Sequence, residues 1–197
     1  PLWGTEIFPE YYSRFEKAAR ETEGVTLTWE GHFIDPLFTH TTTGFTRPGD
    51  EEHPYLASVS CVHDPEEEGF VQEMIMQPEE AAKRVSAIPA GDGSFRTIPP
   101  EAFPEQVQII SRDEAGYALQ LQIGGFPFNG EEVRLALGLP SACFELNRHG
   151  SDVRFSVRGR GHGWGLSQTE AQALAEDGWS AEAILEYFYT GISFSSE

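Results

Sequence analysis

The chain has 197 residues, 39% of them hydrophobic and none in a long apolar run, which suits one substantial core in a globular protein. Thirteen basic against 32 acidic residues give a formal net charge of −19, spread along the sequence and not gathered in a tail. Such a surface repels phosphate backbones and anionic headgroups, so nucleic acid is not an expected partner and no membrane contact is expected within the chain.

In chain order, Tyr11 to Glu23 carries Tyr12, Phe15 and Ala19 at helical spacing with Gly24 as a stop. Val25 to Trp29 alternates, Glu30-Gly31 supplies a tight turn and His32 to Phe38 continues, which predicts a hairpin. The polar stretch Thr39 to Thr46 holds five hydroxyls and His40; it reads either as a sugar-binding surface or as a strand end whose hydroxyls satisfy local backbone groups. Pro54 to Val59 and Val71 to Gln77 read as strands, and Pro78 to Ile88 as a helix opened by proline. Residues 89–105, rich in proline and glycine, read as a surface connection. Val107 to Ile110 and Tyr117 to Ile123 are further strands, and Phe126 to Phe128 with Asn129-Gly130 leads into a helix from Glu131 to Leu137 closed by Gly138.

Asp152 to Val157 is a strand, then come the loop Gly159-Arg160-Gly161-His162-Gly163-Trp164-Gly165 and helices Ser167 to Glu176 and Ala181 to Tyr189. Ser167 and Glu170 stand at capping-box spacing. The predicted fold is α+β, one domain over 1–197, mainly antiparallel, ending in a strand, a glycine-rich loop and two helices. A dinucleotide fingerprint needs glycine at its first, third and sixth positions, and here the sixth is Trp164 or Leu166; no P-loop lysine is present. His162 has no second histidine or cysteine at ligand spacing, so neither a metal nor another cofactor is expected. Cys61 and Cys143 lack the paired spacing of a zinc site or redox dithiol; one disulfide or two buried free thiols both fit.

The stretch from Phe144 onward resembles the stage II sporulation protein D (SpoIID/LytB) family, whose signature reads G-x-G-H-G-V-G-M-S-Q-x-G-A, then a helix ending in glycine and a segment like I-L-x-x-Y-Y-x-G. Gly159, Gly161, His162, Gly163, Gly165, Ser167, Gln168 and Ala171 match, as do Ala175, Gly178, Ile184, Leu185, Tyr187, Tyr189 and Gly191. Phe38 to Thr46 is similar to the family's S-T-S-x-G-x-T loop, Pro54-Tyr55-Leu56 to its P-Y-L strand, and Val133-Arg134 to Leu139 to its I-R-x-x-L-G-L helix. Trp164, Leu166 and Glu170 depart from the pattern, at positions where the family has a small apolar residue, methionine and glycine.

The resemblance implies a lytic transglycosylase acting on peptidoglycan glycan strands in cell-wall remodelling and sporulation. One carboxylic acid protonates the glycosidic oxygen, and the muramoyl 6-hydroxyl attacks the anomeric carbon to give a 1,6-anhydro product. It further implies a cleft lined by Thr42, Thr43, Gly44, Thr46, His162, Gly163, Ser167 and Gln168. The family's catalytic glutamate lies in an E-M-P segment upstream of the hydroxyl loop, and nothing upstream matches here. Glu73-Met74, followed by Pro78, is the nearest text, but it comes after the loop. Because the chain opens at Pro1, the expectation is a piece whose glutamate and anchoring or export segment lie before it, working outside the cytoplasm at the wall. The alternative expectation is a non-catalytic peptidoglycan-binding or scaffold module, which guides other cell-wall enzymes.

Overall fold

The computed structural model describes residues 8–196, with side chains from 11 to 195. These residues gather into two compact units, 36–190 and the pair of segments 8–35 and 191–196.

The smaller unit opens with helix α1 (Phe8–Glu21), whose exposed face carries Glu16–Arg20 and Lys17–Glu21 pairs one turn apart. Strand β1 (Val25–Trp29) then pairs with the two-residue β2 (His32–Phe33) through Glu30 and Gly31, both at positive φ, as the primed hairpin turn demands. The expected strand from His32 to Phe38 does not run through. Pro36 has no N–H to give a ladder, and the chain leaves the hairpin before it.

In the larger unit, β3 (Phe38–Thr39) leads by a long loop to a 3₁₀ turn at Asp64–Glu66, then β4 (Val71–Met76) and α2 (Pro78–Ser86). After a second 3₁₀ turn (Pro100–Ala102) come β5 (Val107–Arg112), β6 (Ala118–Ile123), β7 (Phe126–Asn129) and α3 (Gly130–Leu137). Strands β8 (Phe144–His149) and β9 (Asp152–Arg158) precede the glycine loop, β10 (Leu166–Ser167), α4 (Gln168–Glu176) and α5 (Ala181–Phe188). Two antiparallel sheets, ordered β4-β9-β8 and β5-β6-β7, accompany one short parallel pair, β3 with β10. The fold is α+β with mainly antiparallel strands. The chain then returns to the smaller unit as β11 (Ile192–Ser196), antiparallel to β1 from Trp29↔Ile192 to Val25↔Ser196.

The core follows the period of two in β9, where Val153, Phe155 and Val157 are fully buried between partly exposed neighbours. They pack with Ala81 and Val85 of α2, Leu121 and Ile123 of β6, and Val133 and Leu137 of α3. Asn129 caps α3 by accepting from Glu131 N–H, and Gly138 ends it in the left-handed region. Residues 89–105 are more than a surface connection, because Ile98, Ala102 and Phe103 belong to this core. Pro54 to Val59 forms no strand: Pro54 and Tyr55 lie in a turn closed by Leu56 N–H to His53 O (3.0 Å), and Leu56 makes a single bridge to Tyr189. Thr46 takes the place of a ladder: its Oγ1 donates to Ala57 O and accepts from Val59 N–H, each at 2.9 Å. Cys61 and Cys143 are both free and buried.

Candidate functional site

The four alternating glycines of the 159–165 loop are explained by what they press against. All four have positive φ. At Gly163 a Cβ would lie 2.5 Å from the Tyr117 ring and hydroxyl; at Gly159 it would lie 2.8 Å from Thr42 O. At Gly161 and Gly165 it would collide with Thr39 and Leu37. The loop is thus laid against residues 37–42, joined by Thr41 N–H to Arg160 O (3.0 Å), Arg160 N–H to Thr41 O (2.8 Å) and Leu166 N–H to Leu37 O (3.0 Å). The two sequence motifs are one structural unit.

Its clasp is a residue that the motif reading passed over. Asp64 is fully buried, and its Oδ2 accepts from Thr42 N–H and Thr42 Oγ1, both at 2.6 Å, while Ser167 Oγ lies 2.8 Å from Oδ1 and 2.9 Å from Oδ2. Burial pushes the Asp64 carboxyl up, and the hydroxyl and amide donors partly offset this. Ser167 also accepts from Glu170 N–H (3.3 Å) as the α4 cap. The reciprocal half of the capping box is absent, since the buried Glu170 carboxylate instead accepts from His63 N–H (2.8 Å) and meets His63 Nδ1 (3.1 Å). That ion pair raises the His63 pKa.

Thr42, Thr46 and Ser167 are enclosed, and the Thr43 hydroxyl donates to Ala115 O at 2.5 Å. Gly44 N–H donates to Thr42 Oγ1 (3.1 Å), closing the loop locally. These side chains shape the unit from within; their hydroxyls are already engaged by protein. Gln168 differs, being exposed on a polar groove of about 450 Å³, together with His40, His63, Thr169, Glu66, Glu67 and Glu176.

His162 and Gly163 lie on the far end of the loop, around Arg47. The Arg47 guanidinium is almost fully buried, paired with Asp113 (2.5 Å) and Glu131 (3.1 Å), and it donates to His162 O at 3.2 Å. It stacks 3.8 Å over the Trp164 ring and 4.8 Å over Tyr117. His162 Nδ1 accepts from Trp164 N–H (3.1 Å), which puts the proton of the neutral ring on Nε2. Burial, then Arg134 and Arg47, lower its pKa. Trp164, one of the three departures from the SpoIID/LytB pattern, has Arg47 on its face and Pro48 O accepting from its indole N–H (3.1 Å).

Glu73 stands on β4, opposite Ser156. Its side chain is 56% exposed, its carboxylate lies 3.6 Å from Arg154, and it is not on the groove. Among the described residues no group of three or more His, Cys, Asp or Glu side chains could hold a metal ion. None of the described helices is long and apolar enough to cross a membrane.

The chain is α+β, its glycine loop is clasped through the buried Asp64 carboxylate to a hydroxyl-rich loop, and Gln168 stands at the head of the next helix. Over 197 residues it is 27% identical to stage II sporulation protein D of Bacillus amyloliquefaciens and 27% identical to that of Bacillus subtilis (strain 168), each match covering 98% of this chain and 54% of the relative. The chain is thus similar to stage II sporulation protein D along nearly all of its own length. The chain is also 23% identical over 232 residues to an amidase enhancer of B. subtilis, covering 93% of this chain and 33% of that protein. No family model matches. The chain spans about half the length of the sporulation relatives.

Proposed function

We propose that this chain acts in cell-wall remodelling during sporulation, outside the cytoplasm, as the glycan-handling part of a peptidoglycan strand-cleaving protein of the lytic transglycosylase type. The observation that carries the reading is the joining of the hydroxyl loop and the glycine loop through Asp64, which leaves Gln168 and Thr169 facing a polar groove. A groove of amide, hydroxyl, imidazole and carboxylate groups suits the dense donor and acceptor pattern of a sugar chain. The names of the sporulation relatives and of the amidase enhancer support the cellular setting. Peptidoglycan glycan strands are the proposed partner, and other wall enzymes are secondary ones. Thr42, Thr43, Gly44, Thr46, Gly163 and Ser167 are proposed to set the shape of the site, while Gln168 reaches the ligand and His162 holds the loop from the Trp164 side.

A second reading, a binding or scaffold module without turnover, is favoured by the placement of Glu73, exposed on β4 and engaged with Arg154. Peptidoglycan stripped of stem peptides, incubated with the protein and analysed by mass spectrometry, separates the two. Anhydro-muramoyl ends support cleavage; retention on the glycan without such ends supports the module. A result with no retention and no new ends would overturn both readings.

A further inference from the structure

His63 sits where the buried network meets the groove. Its backbone N–H and its Nδ1 both engage the Glu170 carboxylate, at 2.8 and 3.1 Å, and its ring forms part of the groove wall beside Gln168 and Thr169. A carboxylate only accepts, so Nδ1 carries the proton in the neutral ring and Nε2 offers a lone pair; on protonation Nε2 becomes a charged donor. About a third of the side chain is exposed, and Nε2 is not among the buried polar atoms that lack a partner.

We propose that His63 is a ligand-facing recognition residue of this groove, its ring held through Nδ1 by Glu170 and its Nε2 presented to a sugar hydroxyl, so that the protonated form binds a neutral oligosaccharide more tightly. The inference rests on the glycan reading above and adds to it the residue that sets the strength of binding. A hydroxyl can donate to the neutral ring or accept from the charged one, and the charge-assisted bond is the stronger. The charged groups around the ring are Glu170 of α4, Glu66 of the 3₁₀ turn and Asp177 beyond α4, with Asp64 buried behind and His40, Glu67 and Glu176 elsewhere on the groove. The carboxylates among them favour the imidazolium, so the protonated form persists above the ordinary histidine value.

A tetramer of N-acetylglucosamine is the appropriate probe, because it has no titrating group of its own. Its dissociation constant, measured by calorimetry from pH 5 to 8.5 alongside an NMR titration of the histidines, should rise about fivefold as His63 deprotonates. The midpoint should follow the His63 resonance and not that of His40. Glu170→Gln should move both midpoints down together, and His63→Gln should leave a weaker, pH-independent affinity. Where Glu170→Gln is unstable, the agreement of the two wild-type midpoints carries the test. Binding with a flat pH profile, or with a midpoint that follows His40, overturns the role of His63 and leaves the glycan reading standing. Absence of binding at every pH overturns both.

Discussion

Asp64 shows how far a residue's surroundings can reverse its sequence appearance. In the acidic text Asp64-Pro65-Glu66-Glu67-Glu68 it reads as one more solvated charge, yet it is fully buried with Thr42 and Ser167 as donors. Asp64→Ala leaves those donors without an acceptor, and the expected cost is about 3 kcal/mol, read as a lower urea midpoint. Two histidines carry opposite pH signs. The His63 pKa is raised by Glu170, so its stabilising pair is complete below the unfolded histidine value and is lost as pH rises through the folded one. The His162 pKa is lowered by burial, so its contribution is complete above the unfolded value and is lost as pH falls through the folded one. Thermal melts of His63→Gln and His162→Gln against wild type should therefore converge with wild type at opposite ends of the range from pH 5 to 8.

At the scale of elements, the glycine loop and the α4 cap were legible because they rest on local rules: glycine where the backbone turns left-handed, serine where a helix starts. The same rules placed α2, α3, β6 and β9 close to their observed bounds. What stayed hidden was what depends on partners distant in sequence. The glutamate half of the capping box is diverted to His63, 107 residues away, and Thr46 supplies by side chain the bonds that Pro54 to Val59 would have given a strand. Arg47 carried no motif signal at all, although it joins Asp113, Glu131 and Trp164. The glycine argument can be separated into its parts. Gly150→Ala, at φ 62° with open space around it, should cost about 1 kcal/mol from backbone strain. Gly163→Ala adds a clash with Tyr117 to the same strain and should cost about 3 kcal/mol or more, with both compared by urea denaturation.

For the whole molecule, the net charge of −19 sets the response to salt. Self-repulsion weakens the folded state when screening is poor, so the melting temperature should rise between about 10 and 150 mM salt, where the Debye length falls from about 30 to about 8 Å. The pairing of β1 with β11 belongs to this scale too. Neither strand announces the other, because pairing across more than 160 residues leaves no trace in local alternation. The two units defined by contacts likewise have no marker in composition, which shows only one acidic, moderately apolar chain.

The close approach of the loop glycines to Thr39, Thr42, Leu37 and Tyr117 changes what their pattern can be taken to record. Those positions require glycine for the fit of one part of the chain against another, a requirement that holds whether or not a substrate is turned over. The glycine string by itself therefore does not separate a scaffold from a catalyst, and a catalyst has to be recognised by a different residue.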